Sequence, residues 1–117
     1  MLTLPASVRI YVAAEPIDLR RGFDGLAAAV RTVLHQDPLS GHLFVFFGRR
    51  RDLAKILVWT RGGYWLLNRR LEQGRFRLPT VAEDASHAEL DPVDLQLLLE
   101  GIDLAGARRQ PVWKPFS

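Results

Sequence analysis

The sequence predicts a small α+β domain, in which an antiparallel sheet of four to five strands carries about two helices on one face. Three observations lead to this prediction. The elements run in the order strand, helix, several strands, helix. Turns short enough for hairpins separate the central strands, and two other segments repeat apolar residues at helical spacing. We expect residues 1–107 to form this domain and residues 108–117 to form an extended C-terminal tail, because two prolines interrupt the tail.

The first half of the chain is predicted to contain two strands and one helix. Residues 8–13 (VRIYVA) are rich in β-branched side chains and form the first strand, which Pro16 closes. Residues 23–34 (FDGLAAAVRTVL) place their large apolar side chains on one helical stripe. This helix could begin as early as Asp18, whose carboxylate could cap the first turn. Residues 42–47 (HLFVFF) are predicted to be a central strand that is buried on both faces.

The second half is predicted to be a series of strands followed by a helix. Residues 53–60 (LAKILVWT) and 64–71 (YWLLNRRL) form a hairpin around the sequence RGG. A short strand follows at residues 75–78 (RFRL), and residues 80–89 are expected to be irregular. Residues 90–103 (LDPVDLQLLLEGID) have the clearest helical pattern of the chain.

Local signals define both ends of that second helix. Asp91 is a natural N-cap, and Pro92 then occupies the first helical position, where its missing N–H is harmless. Asp94 lies in the first turn, where the helix dipole favours a negative charge. Gly101 is expected at the C-terminal cap.

The hairpin determines which side chains share a face of the sheet. If residues 62–63, both glycine, form a two-residue loop, Lys55 lies opposite Arg70 in the partner strand. Trp59 and Trp65 then lie on opposite faces, so they cannot form one stacking surface for bases. A large ring is more often part of the core than of a binding surface, and that alternative stays open for both tryptophans.

Charge is divided unevenly along the chain. Residues 49–77 carry eight arginines and one lysine against Asp52 and Glu72, a net charge of +7, whereas residues 78–107 carry seven acids and no basic residue. This division favours an anionic partner for the basic segment. The alternative is that the acidic segment packs against the basic segment within one fold.

Arginine and lysine side chains bind nucleic acid by neutralising phosphates and releasing counterions. Exposed aromatic rings beside them could add stacking on bases. The candidate nucleic-acid-binding residues all lie in the basic segment: Arg49, Arg50, Arg51, Lys55, Arg69, Arg70, Arg75 and Arg77.

Catalytic patterns are weak. The chain has no cysteine, its three histidines have no metal-ligand spacing, and no phosphate-binding glycine loop is present. We therefore expect no enzyme activity, no cofactor and no metal. A metal-dependent nuclease is the remaining catalytic alternative, and it would need a set of carboxylates such as Asp18, Asp24, Asp37 and Asp52 to meet in space. No stretch approaches the roughly 18 apolar residues of a membrane span, so we expect no membrane partner.

Four stretches of the sequence follow one another in a distinctive order: residues 4–30 (LPASVRIYVAAEPIDLRRGFDGLAAAV), 37–59 (DPLSGHLFVFFGRRRDLAKILVW), 69–79 (RRLEQGRFRLP) and 95–104 (LQLLLEGIDL). Together they resemble the family of small accessory proteins encoded by the second open reading frame of insertion sequence 66 elements. The resemblance implies a bacterial protein that assists transposition without performing strand cleavage, with no catalytic residues to assign. Together with the basic segment, this setting leads us to expect DNA as the partner, and the absence of cysteine suits a reducing cytoplasm. A protein adaptor that docks on the element's transposase is the alternative, with the acidic helix as its docking surface. The hairpin turn departs from the family pattern, because Arg61 stands where members commonly carry an acidic or neutral residue.

Overall fold

A computed structural model describes residues 5–102 of the chain. These residues form a small, compact α+β domain, as predicted; the predicted tail at residues 108–117 lies outside the described residues. The elements in chain order are β1 (Ile10–Ala13), α1 (Phe23–Thr32), β2 (Leu43–Phe47), β3 (Leu53–Thr60), β4 (Gly63–Arg70), β5 (His87–Leu90) and α2 (Pro92–Leu99).

The five strands form one sheet in the order β4-β3-β2-β1-β5. Three of the four neighbouring pairs are antiparallel, but β1 and β2 pair in parallel, with Ile10 opposite Leu43. The sheet is thus mostly antiparallel, as predicted, and its one parallel pair, which the prediction did not include, has a simple cause. Helix α1 carries the chain from the end of β1 back to the start of β2, and a crossover helix joins parallel strands.

The two helices pack on opposite faces of the sheet, so the prediction that they share one face is wrong. On one face, Leu26 and Val30 of α1 pack in a core with Phe44 and Phe46 of β2. On the other face, Leu95 and Leu98 of α2 pack in a second core with Val45 and Phe47 of the same strand. Because side chains alternate along a strand, β2 is buried on both faces, as its sequence predicted.

The ends of the helices follow local signals only in part. Helix α1 begins at Phe23, and Gly22 is its N-cap without a side-chain bond. Asp18 does not cap it; its Oδ1 accepts a hydrogen bond from the backbone N–H of Arg20 instead. Helix α2 begins as predicted, because Oδ1 of Asp91 accepts a 2.7 Å bond from the backbone N–H of Asp94.

The β3–β4 hairpin closes one residue earlier than predicted. Arg61 and Gly62 form the loop, both with positive φ, and Thr60 pairs with Gly63. Lys55 therefore lies opposite Asn68 rather than Arg70. The partner of each residue shifts by two positions, which preserves the alternation, so Trp59 and Trp65 still lie on opposite faces.

Residues 71–86 connect β4 to β5 without a strand, so the short strand predicted at residues 75–78 is wrong. Phe76 instead inserts its ring into the core beside Phe47, with the ring centres 5.3 Å apart. A strand forms later, where irregular structure was expected: β5 pairs antiparallel with β1, placing Glu89 opposite Tyr11. Its pairing comes from β1, a distant part of the chain, and its own sequence has little strand character.

Candidate nucleic-acid interface

Strands β1, β2 and β4 run in the same direction and end at the same end of the sheet. Three connecting segments meet there: residues 14–22 after β1, the turn at residues 48–52, and residues 71–80 after β4. We call this region the basic end, because all eight predicted binding residues lie within it or in the adjoining ends of β3 and β4. The structure therefore brings the predicted residues together.

The turn between β2 and β3 presents three consecutive arginines to solvent. Hydrogen bonds from the N–H of Gly48 to the carbonyl of Leu53 and from the N–H of Arg51 to the carbonyl of Gly48 hold the turn. Arg51 has a φ of 61°, a left-handed conformation that is unfavourable for a residue with a side chain. Within residues 5–102, none of Arg49, Arg50 and Arg51 forms an ion pair.

The segment after β4 is tied to that turn by two backbone hydrogen bonds. The N–H of Leu71 donates to the carbonyl of Asp52 at 2.8 Å, and the N–H of Phe76 donates to the carbonyl of Arg51 at 2.6 Å. Arg75 and Arg77 flank the buried Phe76 in sequence and are both exposed. Burial of one ring therefore positions two arginines next to the turn.

Arg77 and Arg51 line the same shallow depression beside Glu15. Neither Arg75 nor Arg77 has an ion-pair partner among the described residues. Five arginines of the basic end thus form no ion pair within residues 5–102. We call them the open arginines: Arg49, Arg50, Arg51, Arg75 and Arg77.

The other three predicted residues already have structural partners. Nζ of Lys55 donates to the carbonyl oxygen of Arg21 at 3.3 Å. Nε of Arg69 donates to the carbonyl oxygen of Leu99 at 2.8 Å, which satisfies the C-terminal end of α2. Arg70 forms a 3.2 Å ion pair with Glu72, and both side chains are largely exposed. Unlike the open arginines, each of these three side chains forms a hydrogen bond or an ion pair within the fold.

The sequence did not point to a further pair at this end, Asp18 and Arg20. Arg20 and Asp18 form an ion pair at 2.7 Å. Hydrogen bonds from the side chain and then the backbone of Arg20 hold the pKa of the Asp18 carboxyl far below its usual range, and the charge of Arg49 adds to this effect. The same side-chain bond raises the pKa of Arg20.

Residues 14–22 reach this position because they follow β1. The N–H of Ile17 donates to the carbonyl of Phe47, and Ile17 bridges in parallel to Gly48. Arg20 consequently lines a depression with Arg49 and Arg50. The sequence shows a basic pair at residues 20–21, but it does not show that this pair lies beside Arg49 and Arg50. That position follows from the parallel pairing of β1 with β2.

Five described acids of the acidic segment form no ion pair with the basic end. Glu89 forms its ion pair with Arg9 at 3.2 Å, at the opposite end of β1. Asp91 caps α2. Across the described residues 5–102, no ion pair joins an arginine of residues 49–77 to any of Glu83, Asp84, Glu89, Asp91 and Glu100.

Trp59 and Trp65, the two tryptophans within residues 5–102, lie toward the hairpin loop, away from the open arginines. Trp65 is 63% exposed, and its Nε1 donates to Oγ1 of Thr60 at 2.9 Å. Trp59 is partly buried, with its ring edge-on to Tyr64 at 4.9 Å. Four residues of strand separate Trp65 from Arg69, about 13 Å at the usual rise per residue. The aromatic groups are therefore not interleaved with the basic end.

Two histidines that are distant in sequence meet at one tyrosine. The ring of Tyr11 has His42 edge-on at 5.7 Å and His87 edge-on at 5.1 Å. Nδ1 of His42 accepts a bond from the backbone N–H of Arg9. Among residues 5–102, no group of three or more histidine or acidic side chains is placed to hold a metal ion.

Within residues 5–102, no helix combines the length and apolar character that crossing a bilayer requires.

Comparison with known proteins identifies relatives over almost the whole chain. The family described as IS66 Orf2-like protein matches residues 8–109. The uncharacterized protein y4jC of Sinorhizobium fredii is 39% identical over 92% of this chain and 91% of its own length. The uncharacterized protein y4hO of the same organism is 41% identical over 98% of this chain and 96% of its own length. No solved structure matches the chain.

Proposed function

Because the chain belongs to the family of IS66 Orf2-like proteins, we propose that it is an accessory factor of transposition that binds DNA through its basic end. Family membership supports the accessory role in transposition. The proposal adds a specific mode of DNA binding. The open arginines contact backbone phosphates, and the protein itself neither cleaves nor joins DNA strands.

The observation that carries DNA binding is the grouping of the open arginines on two joined loops. Guanidinium groups without carboxylate partners remain available for phosphates, and each phosphate contact releases counterions. The bond between Phe76 and Arg51 keeps the two loops in contact, so a single stretch of backbone could meet arginines from both. Arg20 lines a depression with Arg49 and Arg50, although its own charge is paired with Asp18.

The proposed contacts are with phosphates rather than with base edges. The open arginines lie on loops, not on a helix or strand that projects into a groove. The aromatic side chains that could stack on bases lie toward the other end of the hairpin. Binding should therefore depend strongly on salt and weakly on DNA sequence.

The test is duplex binding measured at several salt concentrations with two unrelated sequences. The proposal predicts an affinity that falls steeply with salt and is similar for both duplexes. Simultaneous charge reversal of Arg49, Arg50 and Arg51 should weaken binding to both alike. Absence of binding at low salt, or binding that salt does not change, would contradict the proposal. Cleavage of the duplex in Mg²⁺ or Mn²⁺ would favour a nuclease instead.

One observation favours a second function, an adaptor that docks on the element's transposase. Val93, in the first turn of α2, is 68% exposed and lies between the acidic residues Asp91 and Asp94. An exposed apolar side chain on an acidic helix suits docking on a protein with a basic apolar groove. Co-purification of the two proteins after nuclease treatment would support the adaptor. Failure to co-purify, or no effect of Val93→Asp on co-purification, would count against it.

A further inference from the structure

Strand β4 has an open edge. It is the outermost strand on its side of the sheet, and no described residue pairs with its outer edge. It is eight residues long, twice the length of β5 at the other edge. Its pairing with β3 runs without a bulge from Arg70 to Gly63, and no proline interrupts it. A long regular edge of this kind presents backbone N–H and C=O groups to another strand.

The side chains of β4 divide into an apolar half and a basic half. Trp65 is 63% exposed and Leu67 is 38% exposed, both on the face that carries α2. Leu66 lies between them on the other face. Arg69 and Arg70 complete the strand, so its charge is confined to one end. Exposed apolar side chains on an unpaired edge favour association with another strand.

We propose that β4 pairs antiparallel with β4 of a second copy of the chain, centred on Leu66. In this register Trp65 lies opposite Leu67 of the second copy, and the reverse contact occurs by symmetry. The four exposed apolar side chains then cover one another on one face. Arg69 lies opposite Gly63, which has no side chain.

The backbone and the charges both support this arrangement. In a hairpin closed by two residues, the pair next to the loop is hydrogen-bonded, so Gly63, Trp65 and Leu67 bond inward to β3. The intervening residues, including Leu66, direct their backbone N–H and C=O groups away from β3. Antiparallel pairing centred on Leu66 needs this, because Leu66 of each copy must then bond to Leu66 of the other. Parallel pairing would place Arg69 against Arg69, which is unfavourable, whereas antiparallel pairing keeps the basic halves apart.

The dimer would extend the proposed function, on which this step rests. Antiparallel pairing directs the basic ends of the two copies in opposite directions. The paired strands are about 26 Å long at the usual rise per residue. One dimer would therefore hold two DNA segments at once, one at each end.

Leu67→Asp tests the dimer, with Val93→Asp as matched control, because both replace an exposed apolar residue with the same charge. Mass in solution is measured by light scattering, and retention of the fold by circular dichroism. We expect a dimer for the wild type and Val93→Asp and a monomer for Leu67→Asp. A monomeric wild type at the highest soluble concentration, or a dimeric Leu67→Asp, would overturn the proposal.

Introduced cysteines test the register, because the chain has none of its own. Trp65→Cys mixed with Leu67→Cys should form a disulfide between the two variants under mild oxidation, since directly opposite Cβ atoms are close enough. Disulfides between two copies of Leu67→Cys alone would overturn the register.

Bridging of a labelled duplex to an immobilised one then separates the two proposals. Leu67→Asp should bind a duplex but fail to bridge two. Bridging by Leu67→Asp would contradict the dimer and leave DNA binding intact. A dimer that binds no duplex would contradict the proposed function and leave the dimer intact.

Discussion

The backbone N–H of Phe76 donates a hydrogen bond to the carbonyl oxygen of Arg51 at 2.6 Å. This bond joins two loops that lie 25 positions apart in the chain, and it brings Arg75 and Arg77 beside the arginine turn. The ring of Phe76 is buried against Phe47, so the bond is anchored in the core. Packing on one face of the sheet and the arrangement of the basic end therefore depend on each other.

Phe76→Ala should destabilise the protein and weaken DNA binding together. Removing a buried phenylalanine ring costs about 3–5 kcal/mol, from lost burial and the cavity left behind. Urea unfolding measures this loss. Phe23→Ala is the control, because its ring is 48% exposed and its removal should cost far less. If Phe76→Ala does not fold, Phe76→Leu is used instead, and its free energy of unfolding should fall by less than the value given for alanine. Equal losses for Phe23→Ala and the Phe76 variant would contradict the packing described.

Arg51→Gly should weaken DNA binding without destabilising the fold. Arg51 adopts a φ of 61°, and glycine removes the steric cost of this conformation. We expect stability between unchanged and about 1 kcal/mol higher, with lower duplex affinity at the same salt. Arg50→Gly is the matched control, since Arg50 does not have a positive φ; it should lose affinity and also some stability. Higher stability in Arg50→Gly than in Arg51→Gly would contradict the account.

Asp18→Asn should reduce stability at neutral pH but not in strong acid. Because Arg20 lowers the pKa of Asp18 in the folded state, the contribution of the carboxylate is present above its unfolded value near 3.8. It disappears as pH falls through the lower folded value. Melting temperatures of wild type and Asp18→Asn should differ most at neutral pH. The difference should begin to shrink as pH falls below about 4 and should disappear only in strong acid.

Arg20→Gln provides the control for that comparison. In its background, Asp18→Asn should change the melting temperature less, because the side-chain bond that lowers the Asp18 pKa is already gone. A pH-independent difference between wild type and Asp18→Asn would show that the Arg20 interaction does not contribute as described.

Local chemistry made some elements predictable from the sequence. Asp91 and Pro92 determine the start of α2 by themselves, since capping needs only adjacent residues. Residues 42–47 predicted a strand buried on both faces because no polar side chain interrupts the run after His42. The faces of the β3–β4 hairpin followed from alternation, although Arg61 took the turn position expected of glycine and shifted the pairing.

Other features depend on contacts between distant segments, which periodicity does not reveal. Strand β5 forms because residues 87–90 pair with β1. The opposite placement of the helices depends on packing between segments distant in sequence, because α1 packs in a core with Phe44 and α2 packs in the other core with Val45. The parallel pairing of β1 with β2 brings Arg20 to Arg49 and Arg50, so the sequence supplied the arginine turn but not its neighbours after β1.

The most direct test of the central claim compares Arg50→Glu with Arg31→Glu. The two variants change the net charge equally, but Arg50 lies at the basic end and Arg31 lies in the last turn of α1, toward the opposite end of the sheet. Duplex affinity is measured over a series of salt concentrations after thermal unfolding confirms that both variants are folded.

We expect Arg50→Glu to bind more weakly than wild type, with a shallower dependence of log affinity on log salt, by about one unit for one lost phosphate contact. Arg31→Glu should remain close to wild type in both respects. Equal losses in the two variants, or no loss in Arg50→Glu, would contradict DNA binding through the basic end.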